Sequence, residues 1–345
     1  MKYLIDKLEE TQTLTKEEYQ QLIKGYSQTA ARYAAGKAVA ARMQYYGNSV
    51  YIRGLLEISN ICKNDCLYCG IRRSNKNCQR YRLSEEEILD CCKKGYELGF
   101  RTFVLQSGED SHFQDEILCP LIAEIKQSYP DCAITLSLGE RSYESYWLLK
   151  KAGADRYLLR HETANKKHYN QLHPSEMSFE NRLNCLKSLK ELGYQTGCGF
   201  MVGSPYQTSE TIAEDLKFIE EFKPEMCGIG PFIPHGATPF AQEKAGSVDF
   251  TCYLLSLIRL ISPKILLPAT TALGTLDKEG REKGILAGAN VVMPNLSPSS
   301  VRNKYDIYAN KLNTGCESAE NLDELKLLMK KIGYEIVINR GDISK

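Results

Sequence analysis

The stretch "VYIRGLLEISNICKNDCLYCGIR", residues 50–72, decides how the rest of the chain is read. Residues 50–59 are a mostly apolar run of strand length. Directly behind them stand Cys62, Cys66 and Cys69, three thiols within eight residues and no adjacent fourth. Thiolates bind zinc or iron, and a closed site of either metal takes four ligands. Three from one tight loop make either an open site or one completed from a distance, for which Cys78 is the nearest candidate.

Outward from this stretch, further strand-like runs fall at 101–108, 133–139, 154–162, 195–203, 225–234, 265–272 and 290–295. With 50–59 they make eight. Amphipathic helices lie between them, such as the one opened by Ser84 and Glu87 as a capping box and another over 178–193. Eight alternations predict an α/β fold, a complete parallel (β/α)8 barrel over residues 50–300, with an open doubly wound sheet as the alternative. Residues 1–49 are expected to be a helical extension, since 4–46 are rich in Ala, Lys, Glu and Gln and Thr15 with Glu18 fits a second capping box. Residues 301–345 are expected to be a short helical tail packed on the barrel, with its helix in "SAENLDELKLLMKKIG".

Barrel enzymes react at the carboxyl ends of their strands. Polar side chains collect at these ends: Ser59 and Asn60; Gln106, Ser107 and Glu109; Thr135 and Ser137; Arg160 and Glu162; Thr270 and Thr271; Asn295. The cysteine trio begins on the same rim.

Composition narrows the function classes. The 345 residues include 44 basic and 43 acidic ones, a net charge of +1, which argues against nucleic-acid and membrane-surface partners. No run of eighteen apolar residues suggests a transmembrane helix, and "MKYLIDKLEETQTLTKEEYQ" has no signal-peptide core, so a cytoplasmic protein is expected. Thirteen cysteines in such a chain point to reduced thiols, a subset of them metal-binding. Cys91 and Cys92, adjacent on a predicted helix, read as small core residues.

The spacing C-x3-C-x2-C, with Tyr68 before the last cysteine, resembles the hallmark of the radical S-adenosylmethionine (SAM) superfamily. The resemblance implies that Cys62, Cys66 and Cys69 hold one 4Fe–4S cluster whose fourth iron binds SAM, so that the cofactor is the missing ligand. The segments "CLYCGIRRSNK", "VLQSGED", "RYLLRHETAN", "GIGPFIPH", "LPATTALGT" and "VVMPNLSP" are similar to FeFe-hydrogenase maturases of the HydE type, over about residues 50–300. Biotin synthase and methylornithine synthase are related barrels.

Carried over residue by residue, the resemblance implies cofactor contacts from Tyr68, Gln106, Ser107, Gly108, Glu109, Glu162, Arg182, Ile229 and Phe232. It implies substrate contacts from Thr135, Ser137, Arg160, Thr270, Thr271, Met293 and Tyr305, with Arg160, Tyr305 and Tyr308 nearest the chemistry. Plainer readings stand beside these: a strand-ending turn for 106–109, a solvated helix face for Arg182, a buried strand for Ile229 and Phe232.

The implied activity is attack by a 5′-deoxyadenosyl radical on a cysteine-bound iron carbonyl cyanide complex, building the diiron subcluster of the hydrogenase. The implied partners are this small organometallic substrate, a tyrosine-cleaving radical SAM maturase, a scaffold GTPase and an electron donor such as ferredoxin. Some maturases of this type carry a second cysteine trio near the carboxyl terminus; here Cys316 stands alone, and no second cluster is expected. The rival readings are a methylornithine synthase-like mutase, a biotin synthase-like enzyme and, in another class, a zinc-stabilised binding protein without catalysis.

Overall fold

The computed structural model describes residues 1–313 and 315–344, together with the backbone but not the side chain of Cys316, so the expectation about Cys316 lies outside the described side chains. Three helices lead in: Lys2–Thr11, Lys16–Lys24 and Gln28–Tyr46. The second starts where the sequence says it should: the Thr15 side chain accepts from the Glu18 N–H, and the Glu18 carboxylate accepts from the Thr15 N–H. The third buries Ala30, Ala34 and Ala38, one turn apart, and these small side chains let it lie close against the helix Val248–Ile261.

The strands are β1 (Ser49–Ile52), β2 (Gly54–Ser59), β3 (Thr102–Ser107), β4 (Ala133–Ser137), β5 (Arg156–Leu158), β6 (Gln195–Cys198), β7 (Met201–Val202), β8 (Met226–Cys227), β9 (Gly230–Pro231), β10 (Val291–Val292) and β11 (Glu335–Val337). β2, β3, β4, β5, β6 and β8 pair in that order, all parallel. Segment 265–269 continues the ring: Cys227 N–H donates to Leu266 O (3.1 Å), and Ala269 N–H to Val291 O (2.9 Å). β10 pairs with β1, and Leu55 N–H reaches Pro294 O (2.9 Å). The ring is therefore closed, with helices outside it, including Glu85–Glu97, Asp115–Ser128, Tyr143–Ala152, Phe179–Glu191 and Ser209–Phe222.

Several expected strands are shorter than their apolar runs. The run 265–272 makes only isolated bridges, because Pro268 has no N–H to give and the chain turns at Thr270 into the helix Thr271–Leu276. The run 195–203 breaks into β6 and β7 at Gly199, where an added Cβ would lie 2.0 Å from Gly228 O. The first run breaks at Arg53, freeing β1 to pair with β10 on one side and β11 on the other. β11 is a strand in the tail, beyond the helix Leu322–Lys331 that the sequence marks there.

Strand register explains why the lumen is polar. Leu56, Leu105, Leu136 and Tyr157 lie side by side across β2–β5, as do Glu57, Gln106 and Ser137 one residue later. Because side chains alternate, the first layer faces the helices and the second faces the lumen, with Thr135 and Arg156 on the lumen side too. The amino-terminal mouth is closed by residues 340–344. Arg340 O accepts from Thr102 Oγ1 and from Arg156 Nη2 (both 2.7 Å). Asp342 Oδ1 accepts from Arg156 Nη2 (2.5 Å) and Gln195 Nε2 (2.9 Å). The carboxyl-terminal mouth, where the cysteine loop begins, is the one left for chemistry. Among the described residues no helix is long and apolar enough to cross a membrane.

Candidate active site

The cysteine loop leaves β2 at Ser59 and is pinned at both ends. Ser59 Oγ donates to Asp110 Oδ2 (2.6 Å), and Arg82 grips the same carboxylate at 2.8 and 2.9 Å. Inside the loop, Asp65 receives Arg72 at both oxygens (2.7 Å each) and Ser74 at its N–H and hydroxyl. Arg80 donates to the carbonyls of Asn60 (2.6 Å), Ile71 (2.7 Å) and Arg72 (2.7 Å). These donors satisfy carbonyls that a loop without secondary structure would otherwise leave unpaired. Three backbone bonds dock the loop on the barrel: Lys63 N–H to Glu109 O (3.0 Å), Leu67 N–H to Leu172 O (3.0 Å) and Gly70 N–H to Ile307 O (2.9 Å).

The three thiols converge. Burial pushes each of their pKa values up, Cys69 to about 12, and each is raised further by neighbouring negative charge: Cys69 and Cys62 act on Cys66, and Cys62 acts on Cys69. Cys66 Sγ also lies 3.7 Å from Met177 Sδ. Cys78 stands apart, beside Asn60 Nδ2 (3.5 Å), Arg80 and Asp306. Among the described residues no group of three or more His, Cys, Asp or Glu side chains is gathered to hold a single metal ion. Three mutually close thiols without a fourth fit a cluster with one open iron. A cluster's positive charge offsets the burial that now keeps these thiols protonated.

Around the loop the rim carries buried polar atoms with no hydrogen-bond partner among the described residues. Glu162 Oε2, Arg160 Nε and Nη2, Thr135 Oγ1 and Tyr169 OH are all buried and make no hydrogen bond, although Arg160 Nη2 lies 3.3 Å from Glu162 Oε2. Buried polar atoms are nearly always satisfied, so this group is shaped for a polar ligand. The residues expected to touch a cofactor fall around it. Arg182 is not on a solvated face: it is buried, donating from Nε to Glu140 Oε1 and from Nη1 to Arg160 O, both 2.6 Å. Glu109 accepts from the Glu140 N–H (3.0 Å) and pairs with Lys63 Nζ (3.2 Å). Gly108 sits so close to the loop that a Cβ there would lie 2.4 Å from Ile61 O and 2.7 Å from Cys62 Cβ.

Tyr68 OH donates to His173 Nε2 (3.1 Å), since His173 Nδ1 gives its proton to Tyr169 O (2.9 Å). Burial lowers the His173 pKa to about 3, which keeps the ring neutral for that role. Tyr68 and Leu67 pack on an apolar patch of Leu172, Met201, Phe232 and Phe240, while Ile229 belongs to the main core.

The residues expected to touch substrate divide. Ser137 faces the lumen next to Gln106, one of the expected cofactor contacts, and the buried Tyr305 hydroxyl meets the same Gln106 and the Glu57 charge. Thr270 Oγ1 donates to Ile229 O (3.4 Å), and Thr271 Oγ1 to Glu317 Oε2 (2.7 Å), which also pairs with Arg281. Tyr308 faces Thr275 and Glu317. Met293 packs against Tyr46, Met226, Leu266 and Val291, nearer the closed mouth. Sequence reasoning passed over Glu57, fully buried between Asn295 Nδ2 (2.8 Å) and Lys311 Nζ. The signal was present: a lone acid in the buried run "GLLEIS". Glu140, Tyr169, His173 and Glu317 carried no such signal.

Comparison with known proteins concerns the chain as a whole. The profile of the radical SAM superfamily matches residues 56–219. The chain is 49% identical to the "[FeFe] hydrogenase maturase subunit HydE" of Thermotoga maritima, over 79% of this chain and 77% of that protein. It is 31% identical to the 3-methylornithine synthase of Methanosarcina acetivorans, over 73% and 71%. The crystal structure of methylornithine synthase (PylB) superposes with a TM-score of 0.84 at 26% identity, covering 97% of each chain.

Proposed function

Since the chain belongs to the radical SAM superfamily, and within it to the family of [FeFe]-hydrogenase maturase subunit HydE, we propose that it builds the diiron subcluster of FeFe-hydrogenase from a cysteine-bound iron carbonyl cyanide precursor. When bound, a 4Fe–4S cluster and SAM supply a 5′-deoxyadenosyl radical. The chain's own residues hold, orient and shield. Cys62, Cys66 and Cys69 would carry the cluster. Arg182, fixed by Glu140, would face the carboxylate of SAM, Glu162 its ribose or amino group, and Gln106, Ser107, Gly108 and Glu109 its amino end. Phe232 and Tyr68 offer the adenine an apolar wall. In the lumen Thr135, Arg160 and Tyr305 would receive the substrate, and the plugged amino-terminal mouth keeps bulk water from a reactive intermediate.

The observation that carries this reading is the pairing, on one rim, of three loop thiols whose charges act on one another with buried atoms of Glu162, Arg160, Thr135 and Tyr169 that make no hydrogen bond. We place the protein in the cytoplasm, working with a tyrosine-cleaving maturase, a scaffold GTPase and a ferredoxin-like donor.

The test is anaerobic reconstitution with iron and sulfide, then reduction in the presence of SAM. About four irons per chain and 5′-deoxyadenosine formation are expected, both lost in Cys66→Ala and both kept in Cys78→Ser. Zinc bound through Cys78 would overturn the reading. Because the likeness to methylornithine synthase spans the chain, the control is a free amino acid without any iron complex: its rearrangement would replace the maturase with a mutase.

A further inference from the structure

Five described residues other than glycine have positive φ, and Glu162 (φ 65) alone among them is buried; Gln12, Tyr206, Lys223 and Asn310 are exposed. A left-handed conformation at an exposed turn costs little attention to its surroundings. A buried one persists only where neighbours overdetermine it. At Glu162 those neighbours can be named. Its N–H donates to Gly199 O (3.0 Å), and Gly199 N–H donates to His161 Nδ1 (3.2 Å). With Nδ1 accepting, a neutral His161 carries its proton on Nε2. Burial holds the ring neutral, lowering its pKa to about 3.

One acidic side chain lies beside that nitrogen. Asp215, on the helix Ser209–Phe222, is fully buried and places Oδ1 3.4 Å from His161 Nε2. The same oxygen accepts from the Ala164 N–H at 2.5 Å. The backbone is thus held on both sides of Glu162, by Gly199 before it and by Asp215 after it. The contact between His161 and Asp215 is not an aligned hydrogen bond, and neither His161 Nε2 nor Asp215 Oδ2 has any hydrogen-bond partner among the described residues. The Phe200 and Phe218 rings, 5.8 and 4.6 Å from the imidazole, leave it little room to turn. A carboxyl group buried this deeply, where desolvation pushes its pKa well up, is costly for packing alone, and an apolar residue would fill the space at less cost.

We propose that Asp215, acting through His161 and the Ala164 N–H, is a positioning residue that holds the Glu162 carboxylate in the SAM site. The inference rests on the reading of Glu162 as a cofactor contact given above. Asp215 touches no cofactor itself; it fixes the conformation from which Glu162 does.

The test is calorimetric binding of SAM, and of S-adenosylhomocysteine, to the cluster-loaded full chain. Asp215→Ala should weaken binding about tenfold, the scale set by loss of one buried hydrogen bond. Asp215→Asn keeps an acceptor for Ala164 and should restore most of the affinity. His161→Phe keeps the packing between Phe200 and Phe218, so it serves if Asp215→Ala does not fold, and it should weaken binding similarly. The discriminating measurement is the cycle with Glu162→Gln. In that background neither variant should weaken binding further, because the group they position is already lost. Unchanged affinity in the single variants, or losses that simply add to that of Glu162→Gln, would overturn the proposal. Cluster-loaded wild-type protein that binds no SAM would overturn the parent reading and this inference with it.

Discussion

Replacing Gly108 by alanine probes how tightly the cysteine loop is seated. Gly108 does not sit at positive φ, so alanine is conformationally allowed and the perturbation is purely steric. The new Cβ would stand 2.4 Å from Ile61 O and 2.7 Å from Cys62 Cβ, where ordinary contact begins near 3.4 Å. Backbone therefore has to move by about 1 Å, a distance that already forfeits much of a packed contact. The loop cannot simply swing away, since Lys63 N–H is bonded to Glu109 O, one residue beyond the substitution. Overpacking of this kind costs about 1–3 kcal/mol. With an unfolding entropy of about 2.1 cal/mol/K per residue, that is about 1.5–4 °C in Tm for a chain of this length. The larger effect should fall on the metal, because the atom displaced is the Cβ of a cluster thiol. Iron per chain and cluster absorbance after anaerobic reconstitution should drop by half or more, while far-UV circular dichroism stays unchanged. Wild-type iron content with wild-type Tm would refute the claim that the close approach of Gly108 fixes the position of Cys62.

The mouth plug gives a stability prediction. Asp342→Ala leaves the buried Arg156 guanidinium with Thr102 Oγ1 and Arg340 O but no carboxylate, and should cost about 2–3 kcal/mol, discounted because Asp342 is half-exposed. Adding Arg156→Met should recover part of the loss in the same melt; a double variant worse than the sum would contradict the pairing. Arg182→Lys cannot serve Glu140 and Arg160 O at once, and should raise the SAM dissociation constant about tenfold with little change in Tm. Acid should loosen the apo-protein from the loop and the plug. Arg72 holds the Asp65 carboxyl below its usual range. Burial pushes Asp110 and Asp342 up, but Arg82 and Ser59 on the former, and Arg340 and Arg156 on the latter, bring them lower still. Folded-state values below the unfolded one mean that their contribution is complete above about pH 4 and is lost as pH falls further. Denaturant melts from pH 6 to pH 2.5 should show this decline, flattened in Asp65→Asn.

Much of the site was legible because local chemistry sufficed. The C-x3-C-x2-C spacing, the capping boxes at Thr15 and Ser84, and the polar residues ending each apolar run are features of neighbouring residues. The burial of Arg182 was not legible from residue type: an arginine on an amphipathic helix reads as solvated, and only its place on the face of Cys185, Leu186 and Leu189, with Glu140 and the Arg160 carbonyl to receive it, buries it. Strand β11 was hidden because its three residues, Glu335, Ile336 and Val337, make too short a run to read as a strand until β1 offers them an edge.

From sequence alone came the period of the elements, the place of the thiols and the identity of the rim, because hydrophobic alternation and ligand spacing are written within a few residues of one another. Tertiary structure decided which charges are buried, which mouth is closed and why Glu162 is left-handed. Arg156 meets Asp342, and His161 meets Asp215, across 186 and 54 positions of chain. Desolvation and hydrogen bonding between such distant groups act only once the barrel has closed and brought them together.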